Sequence, residues 1–274
     1  MKKIVVIGDV GVDHYVRQNI IKPGGIAFNF AYNLSILGEK NISVISAVGN
    51  DLNGEKMIKI IKNLGIKPSY IKVKKGITPI QKIELEDGER KFVGYNSGVL
   101  SDWGLHDDDV AFLLKQDVLF VPLSDGMEVV FDIVKRLVGP IKVVDFSKDY
   151  EFADLDKREN MLTKNARYFD ILFVGGDKKE EKLVKQLSSK YPEKVFVLTL
   201  GSLGSIGFIS GKKVIQPAKI TENIVDTTGC GDAFQAAFTS TYIDTGDLAK
   251  SLLLASNHAS KIINYLGSSD IELI

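Results

Sequence analysis

Asp226-Thr227-Thr228-Gly229-Cys230-Gly231-Asp232-Ala233-Phe234 reads as a loop running into a helix. Two glycines flank Cys230 and let the backbone approach a ligand with no Cβ in the way. Ala233, Phe234, Ala236, Ala237 and Phe238 recur at helical spacing, which predicts a helix starting near Gly231. The free N–H groups and positive dipole end of such a helix attract anions, phosphate above all. Asp232 falls in the first turn, beside that anion site. Spacing alone leaves two readings of it. It is an acid that stabilises the helix dipole, or a general base held next to a phosphoryl group in transfer.

Upstream, the chain alternates strands and helices. Ile4 to Ile7 is a continuous apolar, β-branched run, read as a buried parallel strand. It ends at Asp9 and Asp13, which are either solvated loop acids or a ligand contact at the strand end; a carboxylate pair there would suit a polyol, since each accepts two hydroxyl hydrogen bonds. His14 to Ile21 reads as one polar, mixed strand, and Pro23-Gly24-Gly25 turns the chain into a helix over Ile26 to Leu37. Residues 66–98 break the alternation: three strand-like runs surround an Asp87-Gly88 hairpin turn, and with residues 14–22 they predict a small separate sheet, a lid over about 14–22 and 70–98. Strands over Val118 to Leu123, Ile141 to Phe146, Ile171 to Val174 and Val195 to Leu200, with helices between, imply a parallel α/β sheet. Gly201 and Gly204 follow the last of these and let the backbone pass close under a ligand.

Charged residues are 26% of the chain and Lys plus Arg balance Asp plus Glu, which argues for no nucleic acid or anionic membrane as partner. A single cysteine, Cys230, rules out an internal disulfide and fits a reducing compartment. No apolar run reaches membrane-span length, and the first residues lack a cleavage pattern, so a cytoplasmic protein is expected. At a helix N-terminus the Cys230 thiol pKa is expected to fall, although no His lies nearby in sequence and the residue reads as a small spacer.

The 226–232 segment resembles the C-terminal signature of the ribokinase-like (PfkB) carbohydrate kinase family, Asp-Thr-x-Gly-x-Gly-Asp, at Asp226, Thr227, Gly229, Gly231 and Asp232. The family's second signature, a Gly-Gly pair, is matched by Gly24-Gly25, so the resemblance spans most of the chain. It implies one kinase domain over 1–274: an α/β, doubly wound, mostly parallel sheet flanked by helices, with a small β lid. It also implies transfer of the γ-phosphoryl group of MgATP to a sugar hydroxyl. In that scheme Asp232 is the base, and the backbone of Gly229, Cys230 and Gly231 is the anion hole. The sugar is held by Asp9, Asp13, Gly24, Gly25 and Asn29, and ATP by Thr199, Gly201, Gly204 and Asn257. A potassium site at Asp226 and Thr228, and a homodimer through the lid, are further implications. The family's Asn-x-x-Glu for magnesium has no direct match at Gly175 to Glu181, where Glu180 or Glu181 stands in after a shift.

The runs Phe92-Val93-Gly94-Tyr95 to Asp102 and Asp145-Phe146-Ser147 resemble the fructoselysine 6-kinase branch. Fructose, ribose, 2-keto-3-deoxygluconate and nucleosides stay open as acceptors, as does a catalytically silent sugar or nucleotide sensor. A dinucleotide-dependent oxidoreductase is disfavoured, because no Gly-x-Gly-x-x-Gly follows the first strand.

Overall fold

The computed structural model describes residues 1–124, 126–146, 155–221 and 224–273. Its organising strand is β1 (Ile4–Ile7), in which every residue is buried. Successive side chains of a strand point to opposite faces. Ile4 and Val6 accordingly enter one core and Val5 and Ile7 the other. A strand covered on both faces reads as an unbroken apolar run, which is why it was legible in sequence.

After β1 the chain forms β2 (Gly11–Tyr15), β3 (Ile20–Gly24), α1 (Ile26–Ile36), β4 (Ile42–Gly49), α2 (Leu52–Asn63), β5 (Lys67–Lys74), β6 (Ile80–Glu86) and β7 (Glu89–Asn96). Next come α3 (Asp107–Leu113), β8 (Val118–Leu123), α4 (Glu128–Val134), β9 (Ile141–Phe146), α5 (Leu155–Asn165), β10 (Ile171–Gly175) and α6 (Glu181–Lys190). The chain closes with β11 (Val195–Thr199), β12 (Ser205–Ile209), β13 (Lys212–Gln216), α7 (Cys230–Thr245) and α8 (Leu248–Ile262).

Nine strands share one sheet, in the order β13-β12-β11-β10-β9-β8-β1-β4-β5. It is parallel from β5 to β11, and β12 is antiparallel to both its neighbours. The order runs one way from β1 to β4 and the other way to β8, so the topology reverses at β1/β8, where open α/β sheets hold ligands. One core packs α1, α2, α7 and α8 against the sheet, with Phe30 stacked on Phe120 at 3.8 Å and Phe173 edge-on to Phe238 at 5.4 Å. The other packs α3 to α6 on the opposite face.

The second sheet has the order β3-β2-β6-β7. The single strand expected over His14 to Ile21 is instead a hairpin, with Tyr15 paired to Ile20. The polar run Arg17-Gln18-Asn19 is its turn, and Asn19 takes the left-handed conformation (φ 54°) that asparagine tolerates. The strands also reach further than expected, so Asp13 lies on β2 and Gly24 on β3. The run at Tyr70 to Val73, assigned to the lid by its alternation, pairs in parallel with β4 and ends the main sheet. An edge strand is covered unevenly, so it alternates like a lid strand. Ser147, part of the branch resemblance, lies outside the described residues.

Phe120 is fully buried and stacked on Phe30 where β8 meets α1. Phe120→Ala is expected to cost about 3–5 kcal/mol of unfolding free energy, measured by urea denaturation.

Candidate active site

The site is built at the reversal point, beyond the C-terminal ends of β1 and β9. Asp9 follows β1 and caps α1, its Oδ1 accepting from the Ile26 amide at 3.0 Å. Gly25 adopts φ 101°, and a Cβ there would stand 2.6 Å from the Asp9 carbonyl oxygen. A Cβ on Gly24 would meet the Asp13 carboxylate at 2.4 Å, so the glycine pair is what lets β3 lie against both acids. Asp13 is 4% exposed, and its Oδ2 has no hydrogen-bond partner among the described residues. Burial, and then the charges of Asp9, Asp226 and Asp232, hold its carboxyl well above the usual range, with Arg90 opposing. Burial also raises Asp9, against backbone donors from Ile26 and Ala27.

Facing these acids is the start of α7. Asp226 is fully buried and takes four donors: Tyr15 Oη at 2.5 Å and the Gly267 amide at 2.8 Å on Oδ2, the Thr228 amide at 2.8 Å and Thr228 Oγ1 at 2.7 Å on Oδ1. The two residues that the resemblance linked to potassium are therefore bonded to each other. Gly229 caps the helix at φ 78°, and a Cβ there would stand 2.4 Å from Ser268 Cβ. The Cys230 amide already donates to Thr227 O at 3.3 Å, whereas Gly231 is exposed and nothing lies within 4 Å of where its Cβ would be. The open, donor-rich end of the helix is thus at Gly231.

Asp232 sits half-buried in the first turn, and Asn29 Nδ2 donates to its Oδ2 at 2.7 Å. Asn29, expected to hold sugar, therefore reaches the expected base. Burial pushes the Asp232 carboxyl up to about 8; Asp145 and Asp9 add to this, while Asn29 and Arg90 oppose it. The Cys230 thiol moves opposite to expectation, up to about 12, because burial outweighs the helix end and Arg90. Asp145, at the end of β9, is buried.

The lid closes onto the same loop. The Thr227 amide donates to Gly88 O at 3.1 Å, the Arg90 amide to Thr227 Oγ1 at 3.3 Å, and Arg90 Nη1 to Thr227 O at 2.9 Å. Thr227 Oγ1 donates in turn to Glu89 Oε2 at 3.2 Å. Arg90, stacked over Phe92, lowers the carboxyls of Asp13 and Asp232 and so faces the acidic ring. The sequence reading missed Arg90. Its signal was a guanidinium beside the Asp87-Gly88 turn in a chain with only five arginines.

On the other side of the reversal, Thr199 ends β11, Gly201 opens an exposed turn, and Gly204 returns the chain with its carbonyl accepting from Leu200 N at 2.8 Å. Asn257 is half-buried on α8, and the adjacent His258 is a core residue whose Nε2 meets Asn33 Oδ1 at 2.7 Å. Asp177 and Glu180 form a reciprocal capping box after β10, with the Asp177 amide donating to Glu180 Oε2 at 2.8 Å. Glu180 is buried and ion-paired with Arg158, while Glu181 pairs with Lys213 at 2.7 Å on the surface. Of the two stand-ins, Glu180 is the one held at the sheet edge. No group of three or more His, Cys, Asp or Glu stands ready to hold a metal among the described residues.

This sheet, reversal point and lid define a ribokinase-like fold. The solved adenosine kinase of Sinorhizobium meliloti superimposes with a TM-score of 0.81 at 20% identity, covering 99% of this chain and 97% of that one. The ribokinase of Thermotoga maritima gives 0.75 at 20% identity, covering 98% and 95%. Residues 1–124 and 159–273 match the pfkB family of carbohydrate kinases. Fructoselysine 6-kinase of Escherichia coli is 29% identical over 272 residues, 98% of this chain and 100% of its own length. A fructosamine kinase of Bacillus subtilis is 27% identical over 274 residues, 97% and 92%. The chain belongs to the PfkB family of carbohydrate kinases and is an ATP-dependent sugar kinase.

A carboxyl raised on folding binds a proton that the unfolded chain has released. Asp232 therefore costs nothing near its ordinary value of 3.8, and its cost grows as pH rises to about 8. Asp232→Asn is expected to raise the thermal midpoint by a few degrees at pH 8 and to leave it unchanged near pH 4, measured by calorimetry.

Proposed function

We propose that this kinase phosphorylates a fructosamine such as fructoselysine at its primary 6-hydroxyl, with Asp232 as general base. The observation that carries the base assignment is the Asn29–Asp232 hydrogen bond at the open end of α7. A carboxyl raised to about 8 is poised to take a proton near neutral pH. The unpartnered Asp13 Oδ2 supports a polyol beside it, since a buried acceptor without a donor costs free energy that a hydroxyl group relieves. The fructosamine class rests on the two full-length relatives.

The phosphates of ATP fit the end of α7, where Gly231 leaves the backbone uncovered. Glu180 and Asp145 are the acids at the C-terminal edge of the sheet that would hold water-bridged magnesium. Bound MgATP supplies the phosphoryl group and neutralises phosphate charge. The chain's own residues do the rest. Asp13 and the Gly24-Gly25 turn orient the acceptor. Asp232 takes its hydroxyl proton at a carboxylate oxygen. The Gly231 and Asp232 amides face the charge that develops on the transferred group. The docked lid keeps water, the competing acceptor, out of the site. Arg90 brings a lid-borne positive charge to a ring of carboxylates that would otherwise repel a phosphate.

ADP release from MgATP with fructoselysine, fructose, ribose, 2-keto-3-deoxygluconate and adenosine tests this reading. Turnover is expected with fructoselysine, to rise with pH through about 8, and to fall about 10²–10⁴-fold in Asp232→Asn. Preference for another sugar would move the substrate class, and near-normal turnover in Asp232→Asn would remove the base. Arg90→Ala is expected to lower kcat about 10²-fold, with partial recovery in Arg90→Lys, which keeps the charge but not the fork. An unchanged kcat in both variants would limit Arg90 to holding the lid on Thr227.

A further inference from the structure

The segment after α8 touches the candidate site at three points. The Gly267 amide donates to Asp226 Oδ2 at 2.8 Å. Ser268 Cβ fills the space beside Gly229 at the cap of α7. Ser268 Oγ lies 2.5 Å from Asn29 Oδ1. The segment is itself tied down: Tyr32 donates to Asp270 at 2.7 Å, and Lys22 to Glu272 at 2.6 Å.

We infer that Ser268 is a positioning residue for the base, its hydroxyl locking the Asn29 amide in the orientation that donates to Asp232. An amide side chain has one acceptor end and one donor end. Asn29 serves Asp232 only if its oxygen points away, and an oxygen pointing away needs a donor. Ser268 is fully buried, so no bulk water replaces its hydroxyl. Its other acceptor, Pro23 O, is at 3.4 Å, which leaves Asn29 as the main partner. Without Ser268 Oγ the amide loses the reason to hold one orientation.

Charged and titratable groups reach Asp232 from every side: Asp9 after β1, Asp13 on β2, Asp145 on β9, Arg90 on β7 and Cys230 on α7. Serine is neutral, so its replacement by alanine changes none of these charges. Any movement in the titration of Asp232 then reports the lost hydrogen bond. Asn29 lowers the carboxyl in the intact site, so loosening it raises the midpoint.

The inference rests on Asp232 as base only for its catalytic consequence, and the test separates the two. The full chain labelled with ¹³C-aspartate is titrated by NMR, and the Asp232 signal is assigned by its loss in Asp232→Asn. Ser268→Ala is expected to move the Asp232 midpoint upward in the same direction as Asn29→Ala. The double variant is expected to move no further than Asn29→Ala, since both act through one amide. Turnover at pH 7 is expected to drop about tenfold in Ser268→Ala, the scale of one neutral hydrogen bond. Should Ser268→Ala not fold, Ser268→Cys, with its weaker donor, is expected to give a smaller shift of the same sign. An unmoved midpoint in the folded variant, or additive shifts in the double variant, would overturn the inference. An active Asp232→Asn with the midpoint shift intact would overturn the base instead.

Discussion

Asp226 is an acid with no exposed surface, closed in by four donors from three places: Tyr15 on a lid strand, Thr228 in its own loop and Gly267 in the C-terminal segment. A buried carboxyl is expensive unless its oxygens are satisfied. Here the satisfaction doubles as assembly. Tyr15 carries the strand that bears Asp13, Thr228 shapes the turn into α7, and Gly267 brings Ser268 to Asn29. Losing one donor would leave a buried oxygen short and would release one of the three segments around Asp232.

The neighbouring acids play a different part. Asp9, Asp13, Asp145 and Asp232 gather where the sheet reverses; burial holds Asp9, Asp13 and Asp232 toward the protonated form, and the charges of neighbouring acids add to this at Asp13 and Asp232. A fold selected for stability alone would not crowd them. The crowding raises the Asp232 carboxyl to about 8, and it leaves the site short of positive charge. Arg90 on β7 answers that shortage in part. Docking of β7 and charge balance therefore rest on one residue, since Arg90 both pins β7 to Thr227 and offsets the carboxylates.

On the donor side, Asn-x-x-Glu has no direct match, and Asp177 and Glu180 form a reciprocal capping turn after β10, with Glu180 buried there against Arg158. A capping box needs an acceptor at each end, and aspartate meets that need as well as asparagine does. His258, next to Asn257 on α8, is a core residue bonded to Asn33.

What the sequence determined by itself is whatever depends on neighbours along the chain. The unbroken apolar run of β1, the helix after Gly231, the Gly24-Gly25 turn and the Asp87-Gly88 hairpin were all readable, because periodicity and turn chemistry are local. So was the place of Asp232 in the first turn of that helix, because its motif is contiguous. Tertiary structure alone decided the rest. It turned residues 14–21 into a hairpin, moved 70–74 to the main sheet, brought Arg90 to Thr227, and raised Cys230 rather than lowering it. It also joined Asn29, Ser268 and Asp232, residues up to 239 positions apart. Hydrogen bonds and desolvation act through space, and no spacing along the chain records which distant side chains will share a buried pocket.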